Sequence, residues 1–170
     1  MSSPGAETVQ IVDQDDREIG AVSRALMREQ RLIHRACYIL VFNPAGELFI
    51  QKRTMSKDIY PGYWDVAAGG VVLAGESYEA AAKRELAEEL GISGARLEPL
   101  FTQYYEDESN RVWGCIFRCV AEGPFVLQAE EVESGQFTAP AAALELSRTE
   151  PFTPDGLIVL RKVLAELPLG

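Results

Sequence analysis

Glu85, Glu88 and Glu89 carry the most pointed chemistry in the chain. They stand at positions i, i+3 and i+4, so a helix through them puts all three carboxylates on one face. Carboxylates gathered this closely repel one another. Unless a cation neutralises them, they cost stability or hold a proton above their ordinary pKa. Mg²⁺ suits such a set, because it prefers oxygen ligands, keeps several waters and is commonly shared between carboxylates and substrate phosphates. Ions held this way polarise a phosphoryl oxygen, lower the pKa of a bound water and hold a leaving group. Hydrolysis of a diphosphate has these needs, its barrier being largely electrostatic and positional. The segment Lys83–Leu90 alone would fit a solvated amphipathic helix with i,i+4 ion pairs equally well. The surrounding pattern has to decide.

Positioning these carboxylates falls to a helix predicted over Ser77–Leu90. Ala80, Ala81, Ala82, Leu86, Ala87 and Leu90 favour helix, Ser77 is a fitting N-cap and Gly91 stands where a C′ glycine belongs. Ala82, Leu86 and Leu90 form an apolar stripe beside the carboxylate face, able to hold the helix against a sheet. The sheet is legible in strand-like runs. Thr8–Val22 reads as strand, turn and strand, followed by a short helix capped by Ser23. Ala36–Asn43 and Glu47–Arg53 flank a Pro/Gly turn and read as a β-hairpin. Thr54–Tyr63 is a polar loop, and Trp64–Leu73 a strand broken at Gly69-Gly70. Ala95–Tyr105 and Arg111–Ala121 are strands joined by the acidic turn Glu106–Asn110, and Glu131–Thr138 a last strand. Pro140–Leu146 and Pro154–Leu167 read as closing helices with proline in the first turn. Hairpins mixed with helices predict an α+β fold, a mixed sheet covered by helices. Residues 1–7 read as a disordered tail and 8–170 as one domain, with Thr8–Gln30 an N-terminal extension packed onto it.

The 170 residues are 47% apolar and 25% charged, which suits a soluble globular chain. No apolar run approaches the roughly 20 residues that span a bilayer, and the first residues lack the basic and apolar regions of a signal peptide. A cytoplasmic location is the expectation. Cys37, Cys115 and Cys119 fit a reducing compartment. Cys115 and Cys119 would share one face of a strand as small buried hydrophobes, and a single histidine leaves no set for a structural zinc. A formal net charge of −10 argues against a nucleic-acid polymer or an anionic membrane as partner. It also raises the question of what would neutralise a polyanionic substrate, to which bound metal ions are the expected answer.

The wider pattern is Gly70, Glu76, Arg84-Glu85-Leu86, Glu88-Glu89 and Gly91-Ile92. It resembles the Nudix box, Gly-x5-Glu-x7-Arg-Glu-aliphatic-x-Glu-Glu-x-Gly-aliphatic, at every fixed position. The resemblance to the Nudix family spans roughly Ala36 to Leu146. It implies an α/β/α sandwich with a mixed sheet, to which this chain adds an N-terminal β-hairpin. It further implies Mg²⁺, with Mn²⁺ as a substitute, and a small-molecule diphosphate substrate. Carried over by position, Glu85, Glu88 and Glu89 would be metal ligands, joined by the Gly70 carbonyl. Glu76 would assist from the loop, and Arg84 would orient the glutamates through salt bridges. For the general base, Glu89 is the first choice, with Glu131 and Glu133 as candidates from a later loop. Arg53 stands where Nudix proteins often carry an arginine near substrate, and strand alternation sends Lys52 to the other face. The resemblance implies a nucleoside diphosphate derivative or similar compound as substrate without naming which, and the sequence leaves a homodimer open.

Outside the box, His34-Arg35-Ala36, Phe42-Asn43, Gly46-Glu47-Leu48, Gln51, Arg53 and Tyr60-Pro61-Gly62-Tyr63-Trp64 resemble isopentenyl-diphosphate isomerases and hydrolase-like proteins related to them. The resemblance makes allylic isomerisation the runner-up function. Those isomerases carry a catalytic cysteine and a metal-binding histidine where this chain has Gly69 and Val71, and they gather several histidines where it has only His34. His34 is expected to be structural, and hydrolysis is the favoured chemistry. A non-catalytic binding module would be expected to lose box glutamates, and this chain keeps them. Trp64, Trp113, Tyr104 and Tyr105 are available to stack on a base but are expected to pack in the interior.

Overall fold

The computed structural model describes residues 4–166. After a 3-10 turn at Pro4–Ala6, the elements are β1 (Thr8–Val12), β2 (Glu18–Ser23), α1 (Arg24–Gln30), β3 (His34–Phe42), β4 (Leu48–Arg53), β5 (Trp64–Asp65), β6 (Ala68–Val71), α2 (Tyr78–Leu90), β7 (Glu98–Glu106), β8 (Arg111–Val120), β9 (Val132–Thr138), α3 (Pro140–Leu146) and α4 (Pro154–Glu166). Of the tail expected to be disordered, residues 1–3 lie outside the described residues.

β3 is the axis of the sheet. β8 runs parallel to it from His34 opposite Val112 to Phe42 opposite Val120. β6 lies antiparallel on its other side over Ala36–Ile39, and β7 extends the sheet beyond β8. Alternation along β3 sends Cys37, Ile39 and Val41 to one side, where they pack with Ala81, Ala82, Leu86 and Leu90 of α2. Leu40 and Phe42 go to the other, against Ala143 of α3 and Val159, Leu160 and Val163 of α4. Both faces of the sheet are therefore covered, which is why β3 reads as a near-continuous apolar run. The result is the mixed-sheet α/β/α sandwich expected from the sequence. Cys115 and Cys119 share the α2 side with Cys37, all three as free thiols. The β1–β2 hairpin joins the sheet at Ile11 opposite His34, and Val9, Ile11 and Met27 of α1 pack on Val71.

Two expectations are corrected. β3 and β4 do share a tight turn, with Gly46 N donating to Asn43 O at 2.9 Å, but they pair only at Phe42 opposite Leu48. Farther along, β6 occupies that edge of β3, and β4 diverges to pair with β9 and β5. The break in Trp64–Leu73 falls at Val66-Ala67, whose side chains are buried on the α4 side, whereas Gly69 and Gly70 lie within β6. Gly69 is needed there because β6 crosses β3 closely: its φ is +148°, and a Cβ would lie 1.9 Å from the Cys37 carbonyl oxygen.

Candidate active site

The helix α2 is closed at both ends by local chemistry. Ser77 Oγ accepts from Ala80 N at 3.0 Å, and Gly91 adopts the left-handed conformation at φ 68°. Its apolar stripe fixes its rotation against the sheet. That rotation decides the fate of each glutamate. Glu89, three residues after Leu86, falls on the seam between stripe and carboxylate face and is only 5% exposed. Glu88 points outward at 49% side-chain exposure, and Glu85 lies between the two.

Arg84 ties the helix to the loop before it. Its Nε and Nη2 donate to Glu76 at 2.7 and 2.9 Å, its Nη1 reaches Glu85 at 2.8 Å and Glu88 at 3.4 Å, and Nη2 also meets the Val71 carbonyl at 3.3 Å. Glu76 accepts in addition from Leu73 N at 2.8 Å. Burial raises the Glu76 carboxyl, but the Arg84 guanidinium and the Leu73 N–H more than offset it and hold it below its usual range. The opposite holds deeper in. Burial first, and the charge of Glu85 second, push Glu89 up to about 8. Burial likewise raises Glu85 against the pull of Arg84, with Glu88 and Glu131 adding repulsion. Gly70 leaves room for this crowding, since a Cβ there would come within 2.7 Å of the Glu85 carboxylate. Among the described residues, no three such side chains converge as placed on one metal-holding point. Arg84 instead spans Glu76, Glu85 and Glu88.

A cleft opens beside Gly69 and Gly70. Arg24 and Arg28 of α1 line it with Arg53 and Lys57. The two α1 arginines share Asp58, at 3.0 and 3.2 Å, and Arg28 also reaches Asn110 Oδ1 at 3.3 Å. Burial raises the Asp58 carboxyl, yet the two guanidiniums hold it well below the usual range. Arg53 donates to the Ile59 carbonyl at 2.9 Å and stands 3.5 Å from Asp65. Lys57 is paired with Glu131. Each of these cations is paired with a carboxylate, and Asp65 and Asp155 also line the cleft, so its walls carry charges of both signs. Arg24, Arg28 and Lys57 escaped the sequence reading. The i,i+4 spacing of Arg24 and Arg28 marks a shared helix face, but nothing local says that this face meets residues so far along the chain.

The later-loop candidates separate. Glu131 lies near enough to Glu85 for its charge to act there. Glu133 meets Lys52 at 3.8 Å and is 56% exposed. The β-bulge between Lys52 and Arg53 accompanies this split. His34 is buried, with Nδ1 3.1 Å from the Leu32 carbonyl. Trp64 stacks on Phe152, and Trp113 packs edge-on to Tyr104, so these aromatics are engaged with protein.

The family model described as the NUDIX domain matches residues 32–157. The chain belongs to the Nudix family. A Nudix hydrolase of Pseudomonas aeruginosa is 48% identical over 159 residues, covering 94% of each chain. The Nudix hydrolase YfcD of Escherichia coli K12 is 44% identical over 154 residues, 91% of this chain and 84% of the relative. The crystal structure of DR0079 from Deinococcus radiodurans superposes with a TM-score of 0.81 at 25% identity, covering 92% of this chain and 98% of that one. The chain is accordingly an enzyme of the Nudix hydrolase class. Nudix hydrolases generally use a divalent metal and act on small molecules. Arg24 and Arg28 precede the segment matched by the Nudix model, so α1 adds to the cleft from outside it.

Proposed function

We propose that this Nudix protein hydrolyses the diphosphate linkage of a small-molecule substrate with Mg²⁺, for which Mn²⁺ can substitute. The observation that carries this reading is the packing of Glu85 against Gly70 and of Glu89 against the Gly69 N–H, beside a cleft that Gly69 and Gly70 line with Arg24, Arg28, Arg53 and Lys57. The donor set fits a hard divalent cation. It offers carboxylate and carbonyl oxygen only, its two inner carboxylates are disfavoured as anions without a cation, and a Cβ on Gly70 would fill the space beside Glu85. Glu85, Glu88, Glu89 and the Gly70 carbonyl would hold the ion, Glu88 after leaving its 3.4 Å contact with Arg84. When bound, the ion supplies charge neutralisation at the phosphoryl oxygens and eases deprotonation of water.

The protein's own groups do the rest. Arg84 keeps Glu76 and Glu85 in register across the loop–helix junction. The cleft cations bind the anionic oxygens and lower the cost of charge building on the leaving group. Water attacks phosphorus, one bridging P–O bond breaks, and the water's proton passes to a carboxylate. Glu89 is the first choice for that acceptor, with Glu131 second.

The isomerase-like branch remains a statement about ancestry. Gly69, where the isomerases need a cysteine, has its Cβ position 1.9 Å from the Cys37 carbonyl oxygen, so a side chain there would require β6 to move. His34 is already engaged with Leu32. A panel of diphosphates assayed with Mg²⁺ or Mn²⁺, beside an isopentenyl-diphosphate isomerisation assay, tests the reading. We expect metal-dependent release of phosphate-containing products from at least one substrate. Glu88→Gln and Glu89→Gln should lower the rate by about 100-fold or more while the protein still folds. Isomerisation, or hydrolysis unchanged in both variants, would reject it.

A further inference from the structure

Gln51 is a buried polar side chain that this chemistry leaves unexplained. It lies on β4, paired with Asp65 of β5 and Gly135 of β9, and is 6% exposed. Its Nε2 donates to Glu89 Oε2 at 3.0 Å. The Gly69 backbone N–H donates to that same oxygen at 3.3 Å. Among the described residues, Glu89 Oε1 receives no protein hydrogen bond, so the two donors fix one oxygen and leave the other available.

Gln51 Oε1 is buried without any donor. Burying an amide oxygen unpartnered is unfavourable, and a glutamine serving packing alone would satisfy both ends or be replaced by an apolar residue of like volume. With Glu89 ionised, as cation binding requires, only the amide N–H end of Gln51 can face it.

We propose that Gln51 is a positioning residue for Glu89. Its amide and the Gly69 N–H pin one carboxylate oxygen from two different strands, so that the other is presented to the cation or the attacking water. This rests on the reading of Glu89 as part of the hydrolytic site. Gly69 has a second function here, since its position close to β3 brings its N–H to Glu89.

Gln51→Met tests the proposal, because it keeps length and volume and removes the donor. Gln51→Glu keeps the shape and puts charge against Glu89. Three measurements are compared with the unaltered protein: Mn²⁺ binding to the substrate-free chain by electron paramagnetic resonance, steady-state kinetics on a diphosphate from the panel, and the melting temperature without metal. Loss of a group that orients a metal ligand typically weakens metal affinity or activity by about 10- to 100-fold. Gln51→Met should show a loss of that size in Mn²⁺ affinity and kcat, with KM changed less than about twofold. Its melting temperature should be equal or higher, and Gln51→Glu should lose at least as much function. Wild-type Mn²⁺ affinity and kcat in Gln51→Met, a loss confined to KM, or a loss matched by a fall in melting temperature would overturn the proposal. If the unaltered protein binds Mn²⁺ but cleaves nothing, the hydrolytic reading fails while the Mn²⁺ comparison still decides Gln51. If it cleaves and Gln51→Met is unaffected, only the positioning role fails.

Discussion

His34 is 2% exposed at the start of β3, and its surroundings make it a reporter of acid stability. Burial, and next the charge of Arg28, lower its pKa from 6.5 to about 3. The unfolded chain therefore takes up a proton below about 6.5 that the folded protein refuses until about 3. Stability is present above the unfolded value and is lost as pH falls through that window. Between pH 7.5 and 5 the loss from this group is about 2 kcal/mol. In His34→Gln, urea unfolding at those two pH values should show a pH dependence smaller by that amount. An unchanged dependence would mean that the ring titrates in the folded protein as it does in the unfolded chain. The same scale explains Gly69 and Gly70. Both are steric requirements, one against the Cys37 carbonyl and one against the Glu85 carboxylate.

At the scale of elements, α2 couples packing to chemistry because Leu86 and Glu89 share its inner side. Leu86 is buried among Ile39, Val72 and Phe117. Leu86→Ala should cost about 2–5 kcal/mol in urea unfolding, the range for deleting a buried leucine. It should also weaken activity, since any resettling of the helix displaces Glu85 and Glu89 together. Glu88→Gln, altering an exposed carboxylate on the same helix, should leave unfolding nearly unchanged, and an equal destabilisation by both would contradict the division of faces. α1 makes the complementary point. Its N-cap, Ser23 Oγ accepting from Leu26 N at 3.1 Å, is plain in the sequence. That Arg24 and Arg28 enter the cleft is decided by Met27 packing with Val9, Ile11 and Val71.

For the whole molecule, 16 lysines and arginines face 26 aspartates and glutamates. A ligand approaching from afar meets a net negative surface, whereas one inside the cleft meets Arg24, Arg28, Arg53 and Lys57 with Asp65 and Asp155 among them. The two fields respond to salt in opposite directions. Screening at high ionic strength weakens the cleft's hold on an anion but also removes the long-range repulsion. Because contacts in the cleft are short and act on the bound state, KM for a polyanionic diphosphate should rise by about two- to tenfold between 0.05 and 0.5 M NaCl. A KM that stays flat or falls would mean that the outer field dominates.

The sequence by itself determined the elements and the carboxylate helix, because these rest on local chemistry. Ser77 and Gly91 cap α2, apolar residues recur on one side of it, and three glutamates stand at helical spacing whatever lies around them. The tertiary structure alone decided which strand edges meet, so the β3–β4 hairpin expected from its turn opens after one residue pair. It alone decided which glutamate is buried, that Gln51 meets Glu89, and that Arg24 and Arg28 line the cleft. The physical reason is range. Caps and helical spacing act over a few residues, whereas the donor on Glu89 stands 38 positions away and the bond from Arg28 to Asn110 spans 82. Only the folded chain brings such groups within hydrogen-bond distance.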